Sequence, residues 1–67
     1  MNMVMELKDY QLNILSLIAE GYSSEEISRK IHLSKRTVEG IRLKLIRAFD
    51  VKNTPSLIYH ALKKGVI

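Results

Sequence analysis

The residues best suited to bind a ligand lie in one segment, 34–47, which reads as a single helix. At about 100° per residue, one side of this helix carries apolar residues at helical spacing: Val38, Ile41, Leu45 and, just beyond the segment, Phe49. The opposite side carries cations together with an acid, a small residue and an apolar tip: Arg36, Glu39, Gly40, Leu43 and Arg47. This mixture suits a helix that enters a DNA groove, because cations neutralise phosphates while other side chains touch base edges.

Phosphate binding is the role we expect for the cations and the hydroxyl along this side. Arg36, Lys44 and Arg47 are the leading candidates, followed by Lys35 and Thr37. Cations bind a polyanion by releasing its condensed counterions. The alternative for each cation is a solvated surface position without a partner.

Base recognition is the role we expect for Glu39, Gly40 and Leu43. A carboxylate can accept from cytosine N4, and an apolar tip can contact a thymine methyl group. Glycine lowers the stability of a helix by up to ~1 kcal/mol relative to alanine. We expect such a residue where a larger side chain would collide with the duplex. Two alternatives remain open: Glu39 pairs within the helix with Arg42 or Lys35, and Leu43 is simply an exposed leucine. Arg42 itself lies nearer the apolar side, so its stem is expected to rest on the fold.

Positive charge is concentrated on the part of the chain that holds this helix. The chain carries a net charge of +4, but residues 1–28 have one base against five acids, whereas residues 29–52 have eight bases against two acids. A basic patch on one element is the electrostatic signature of a polyanionic partner. A merely solubilising surface is the plainer alternative.

Length and composition exclude several classes of protein. Sixty-seven residues form one small domain with little room for a catalytic cleft, and a hydrophobic content of 46% suffices for a packed core. The chain has no cysteine, which removes disulfides and thiolate metal sites and fits a reducing, cytoplasmic compartment. Neither a membrane span nor a signal peptide is recognisable.

No constellation of side chains suggests an enzyme, a metal site or a cofactor. The only histidines, His32 and His60, are 28 positions apart and have no cysteine or acid at ligand spacing. No serine has a histidine and an acid placed to make it a nucleophile. We therefore expect no catalysis, no cofactor and no small-molecule ligand in this chain.

Periodicity and capping signals predict an all-α fold, a compact four-helix bundle-like domain without strands, whose third helix is the longest or equal to the longest. The first helix covers about 8–20, with Leu7 and Tyr10 extending its apolar stripe by one turn. The second begins at Ser23, whose spacing to Glu26 is that of a capping box.

The other two helices also have recognisable ends. Ser34 is expected to cap the third helix, which runs to about residue 49. Thr54 is expected to cap the fourth, with Pro55 at its first helical position. Gly65 then ends it, since glycine adopts the left-handed conformation at little cost.

The second and third helices form a helix-turn-helix, in which two helices are joined by a short turn and the second is basic. Residues 32–33 are the turn, and we expect Leu33 to be buried between the two helices. In this motif the second helix lies in the major groove and the first crosses the DNA backbone.

The order and spacing of these residues resemble the LuxR-type (LuxR/FixJ/GerE) DNA-binding domain. The likeness rests on L-x-L-I-A-x-G-x-S-x-x-E-I-S-x-x-I-x-L-S-x-x-T-V over 15–38, V-K-N over 51–53 and A-L-x-x-G-V-I over 61–67. The resemblance implies a compact four-helix domain over 7–67, preceded by an N-terminal extension of residues 1–6. It also implies that the third helix reads the major groove and that the fourth supplies a dimer contact.

The chain departs from the family pattern at positions that bear on DNA contacts. Glu25 and Glu39 stand where the family commonly has a basic residue, and Ile41 replaces its usual histidine. The first helix lacks the family's Thr-x-Arg-Glu-x-Glu opening. Asp50 stands where glycine is common, and aspartate tolerates a left-handed conformation better than most residues.

A dimer contact is expected on the fourth helix, which has apolar or aromatic residues on more than one side: Leu57, Tyr59, His60 and Leu62. A small domain needs some of these for its own core. The contact is therefore expected to be small, with the homodimer forming on DNA.

Together these features predict a bacterial transcription regulator that binds double-stranded DNA sequence-specifically, with residues 34–49 in the major groove and a homodimer on two half-sites. The alternative is a protein-interaction module of the same fold that binds a partner regulator with little DNA affinity. Glu25 and Glu39, near the DNA-facing side, favour this alternative. Salt dependence separates the two, because DNA binding must weaken steeply with salt.

Overall fold

The computed structural model describes residues 6–67, which form four α-helices: α1 (Asp9–Ala19), α2 (Ser24–Ile31), α3 (Lys35–Ala48) and α4 (Thr54–Lys64). Within this range there is no strand, and α3 is the longest helix with 14 residues. The predicted all-α fold is confirmed. Of the predicted N-terminal extension, only Glu6 falls within the described residues, and 1–5 lie outside them. None of the described helices is long and apolar enough to cross a membrane.

Two apolar clusters hold the helices together. The larger joins α1, α3 and α4 through Leu15, Leu45, Phe49, Leu57 and Ala61. The smaller joins α1, α2 and α3 through Ile14, Ile27 and Val38. Ile41 packs against both. The predicted apolar side of α3 is thus confirmed, and each large side chain buried in this way contributes about 1.5–3 kcal/mol.

Serine side chains cap α2 and α3 as their spacing predicts. The Ser23 hydroxyl accepts from the Glu26 N–H at 3.1 Å, and the Glu26 carboxylate accepts from the Ser23 N–H at 2.9 Å. This bond from the Ser23 backbone lowers the pKa of Glu26 below its ordinary value, because it stabilises the ionised carboxylate. At the start of α3, the Ser34 hydroxyl accepts from the Thr37 N–H at 3.0 Å.

The start of α4 differs from the prediction by one residue. Asn53 is the cap, and its side-chain oxygen accepts from the Ser56 N–H at 2.9 Å. Thr54 is therefore the first helical residue and Pro55 the second, where a backbone N–H would also lack an intrahelical acceptor. Asparagine is the stronger N-cap, and the Thr54 hydroxyl instead accepts a bond from Arg42.

Each of the four helices is followed, within two residues, by a residue in the left-handed conformation: Gly21, His32, Asp50 and Gly65. The next residue in each case donates its N–H to a carbonyl five positions earlier, as in a Schellman motif; these residues are Tyr22, Leu33, Val51 and Val66. Asp50, which stands where the family commonly has glycine, adopts this conformation with a φ of 56°. Tyr22, Val51 and Val66 are partly buried and pack against the core clusters, whereas Leu33 is more exposed.

Two residues expected in the core are exposed. Leu33 is 38% exposed and Tyr10 is 47% exposed. The junction of α1, α2 and α3 is filled by Ile14, Ile27 and Val38, which are at most 1% exposed. The Leu33 backbone is held by its bond to the Ser28 carbonyl, and its side chain remains at the surface because the junction is already filled.

Candidate nucleic-acid interface

The outward side of α3 brings the sequence-predicted contact residues together. The helix is fixed by the burial of Val38 and Leu45, which turns the other side of the helix to solvent. Almost all of the predicted contact residues are exposed there: Lys35, Arg36, Thr37, Gly40, Leu43, Lys44 and Arg47. Glu39 is half-buried at the edge of this face. We call these eight residues the outer face of α3.

The cations of the outer face have no acidic partner among the described residues. The one ion pair within 6–67 joins Arg29 to Glu25 on α2, at 3.0 Å. Arg36, Lys44 and Arg47 can therefore meet a polyanion without first breaking an ion pair. The hydroxyl of Thr37 accepts from Ser34 at 2.9 Å, which leaves its own proton to donate outward.

Glycine at position 40 is not required by the packing of the domain. A Cβ built on Gly40 would meet no atom within 4 Å. The residue lies inside α3, where alanine would be more stable. The fold gives no reason for a glycine here, whereas a duplex lying against the outer face would.

The two acids that depart from the family pattern have different surroundings. Glu25 is paired with Arg29, an exposed i,i+4 contact that contributes only about 0.3–0.5 kcal/mol. Glu39 forms no ion pair with Lys35 or Arg42 within 4 Å. The intrahelical pair considered for Glu39 is thus not formed, and its carboxylate stays free to accept from another group.

Arg42 turns away from the outer face and binds α4. Its Nη1 donates to the Thr54 hydroxyl at 2.9 Å, while its Nε is buried without a hydrogen-bond partner among residues 6–67. The expectation that its stem rests on the fold is confirmed. This is the one side-chain hydrogen bond between different helices in that range, and the sequence carries no signal for it because its ends are 12 residues apart.

The proposed dimer surface on α4 is smaller than the sequence predicts. Leu57 is fully buried in the core, so its assignment to a dimer contact is wrong. Tyr59 and Leu62 are 57% and 58% exposed. The His60 ring meets the Tyr59 ring edge-on, with centroids 5.1 Å apart, and the Lys63 ammonium lies 5.6 Å from the Tyr59 centroid.

This sequence is similar to the sequences of known proteins. Residues 5–61 match the family of bacterial regulatory proteins described as the luxR family (GerE). The chain is 38% identical over 61 residues to oxygen regulatory protein NreC from Staphylococcus haemolyticus, Staphylococcus carnosus and Staphylococcus aureus (strain JH9). The alignment covers 91% of this chain but 28% of each relative. The chain therefore belongs to the luxR family of bacterial regulatory proteins, as a helix-turn-helix domain of DNA-binding transcription regulators.

Proposed function

We propose that this domain binds double-stranded DNA sequence-specifically, with α3 in the major groove. The observation that carries the proposal is the outer face of α3, where unpaired cations surround a glycine that the fold does not require. An α-helix fits the major groove of B-DNA, and there each base pair presents a distinct pattern of donors and acceptors.

Register on the duplex is set by contacts to phosphates, which carry no sequence information. The residues that we propose for these contacts are Lys35, Arg36, Thr37, Lys44 and Arg47. Four of the five are cations, so the affinity must fall as salt rises.

Base preference is proposed to come from Glu39, Gly40 and Leu43. The free carboxylate of Glu39 would accept from cytosine N4, and the Leu43 tip, which is 49% exposed, would contact a thymine methyl group. Gly40 would let the backbone of α3 approach the base edges.

A homodimer on two half-sites is the assembly that we propose, with Tyr59, His60 and Leu62 of α4 facing the same residues of a second copy. Such an isologous contact of two or three side chains is too small for a stable free dimer. Two half-sites on one duplex would raise the effective concentration of the second copy. Sedimentation with and without a palindromic duplex tests this: a monomer alone and two copies per duplex are expected, and one copy per duplex at saturation would contradict it.

Selection of bound sequences from a random duplex pool tests sequence-specific binding. A palindromic logo is expected. Glu39→Ala should relax one position of each half-site by about 1–3 kcal/mol, whereas Glu20→Ala, which removes an acid at the end of α1, should leave the logo unchanged. An unchanged logo for Glu39→Ala would remove that residue from base recognition. Recovery of no preferred sequence would favour the protein-interaction module instead.

The role proposed for the whole protein is regulation of transcription in the cytoplasm, where bacterial DNA lies. The relatives are named as oxygen regulatory proteins, and the chain spans 28% of their length.

A further inference from the structure

A groove of about 560 Å³ runs along the flank of α3, next to the outer face. Its walls are formed by four parts of the fold: Tyr10 and Asn13 of α1, Ile31 of α2, Leu33 of the turn, and Thr37, Ile41 and Lys44 of α3. The groove is open to solvent.

Three of these side chains lie partly open to solvent. Tyr10 is 47% exposed, Leu33 is 38% exposed, and Asn13 is exposed. The side-chain hydrogen bonds found within 6–67 involve neither the Tyr10 hydroxyl nor the Asn13 amide. Leu33 is the most exposed of the four residues that follow the helices, because Tyr22, Val51 and Val66 are partly buried against the core.

The groove is continuous with the outer face. Thr37 and Lys44 belong to both, and the Lys44 ammonium is the only charged group among the residues that line the groove. A ligand that rests on the outer face and extends sideways would enter the groove next to a cation. The part of a duplex that extends sideways from a helix in the major groove is the sugar–phosphate strand at the edge of that groove.

We propose that this groove seats one sugar–phosphate strand of the bound duplex, so that α1 takes part in DNA binding. The Tyr10 hydroxyl and the Asn13 amide donate to phosphate oxygens, as such side chains commonly do, and Leu33 packs against a deoxyribose. The proposal rests on the proposed function and extends the DNA footprint beyond the helix-turn-helix.

The first test compares two isosteric changes of an amide to a carboxylate on α1. Asn13→Asp places a negative charge in the groove. Gln11→Glu places the same charge two residues away, on the other side of the helix, and keeps an oxygen that accepts from the Lys8 N–H. On a duplex carrying one selected half-site, Asn13→Asp is expected to weaken binding about five-fold, as for like charges at contact distance in water. Gln11→Glu is expected to change binding less than two-fold.

The second test removes one hydroxyl and leaves the packing unchanged. Tyr10→Phe is expected to weaken binding about three- to ten-fold through loss of one hydrogen bond. Tyr59→Phe is the matched control, because Tyr59 is also an exposed tyrosine but lies on α4. A single half-site keeps any dimer contact of Tyr59 out of the measurement. Thermal melts by circular dichroism confirm that each variant is folded.

Equal affinities for Asn13→Asp and Gln11→Glu, together with equal affinities for the two tyrosine variants, would overturn the groove assignment. The proposed function would survive that result if the unaltered protein still bound DNA with steep salt dependence. Binding that does not respond to salt would overturn both proposals.

Discussion

Gly40→Ala separates the stability of the domain from its affinity for DNA, because the structure predicts opposite signs for the two. The new methyl group meets no protein atom within 4 Å, so its effect on folding is set by helix propensity alone. Alanine is favoured over glycine by about 1 kcal/mol inside a helix. In a domain of this size, that raises the melting temperature by roughly 4–8 °C.

The same methyl group stands in the middle of the outer face, where it would hold α3 away from the base edges. A loss of about ten-fold in affinity is expected, which corresponds to one base contact at about 1.4 kcal/mol. Thermal denaturation and DNA titration on the same preparation measure both quantities. Gly65→Ala is the control: its φ of 74° makes any side chain costly, so its melting temperature should fall while its DNA affinity is unchanged.

Either of two results would refute the reasoning about Gly40. A lower melting temperature would mean that the fold requires the glycine after all. A higher melting temperature with unchanged affinity would mean that the duplex does not approach this part of α3.

Three further predictions concern phosphate contacts, the link between α3 and α4, and pH. Arg47→Ala should weaken binding to all sequences alike and make the salt slope shallower by about 0.9. Lys64→Ala, at the end of α4, is the control and should change neither the affinity nor the slope. Equal slopes for the two variants would contradict the phosphate role of Arg47. Thr54→Val leaves the Arg42 guanidinium without its acceptor and should lower the free energy of unfolding in denaturant by about 1–2 kcal/mol. The double variant Thr54→Val with Arg42→Met should recover most of that loss, because no guanidinium then lacks an acceptor. A double variant as unstable as Thr54→Val alone would refute the link between α3 and α4. Because the pKa of Glu26 is lowered on folding, its capping box stabilises the domain above the ordinary carboxyl pKa of about 4.5 and loses this effect as pH falls through the folded value. Melting temperatures of the unaltered protein should therefore fall more steeply in acid than those of Glu26→Gln, and parallel curves would contradict this.

The helices could be predicted from the sequence because their signals are local. The capping box from Ser23 to Glu26 lies within one turn, and Gly65 ends α4 through its own backbone freedom. The errors arise where the outcome depends on competition between neighbours. Asn53 takes the cap from Thr54 because it is the stronger cap and because the threonine hydroxyl is engaged by a distant arginine.

The candidate site was predictable only in part. The outer face of α3 follows from helical periodicity, since the buried side fixes the exposed one. The contact of Arg42 with α4 and the groove that Tyr10 and Lys44 both line depend on how helices cross, which no short segment encodes. Leu33 illustrates the same limit, because its burial depended on whether other side chains had already filled the junction.

Affinity for duplex DNA as a function of salt tests the central claim most directly. Four cations of the outer face are assigned to phosphates: Lys35, Arg36, Lys44 and Arg47. With about 0.9 counterions released per phosphate contact, a single domain should give a slope of about −3.6 in a plot of log K against log salt. Binding should then weaken by about 150-fold between 50 and 200 mM salt. A slope near zero, with the protein folded throughout, would contradict the assignment of the outer face of α3 to DNA.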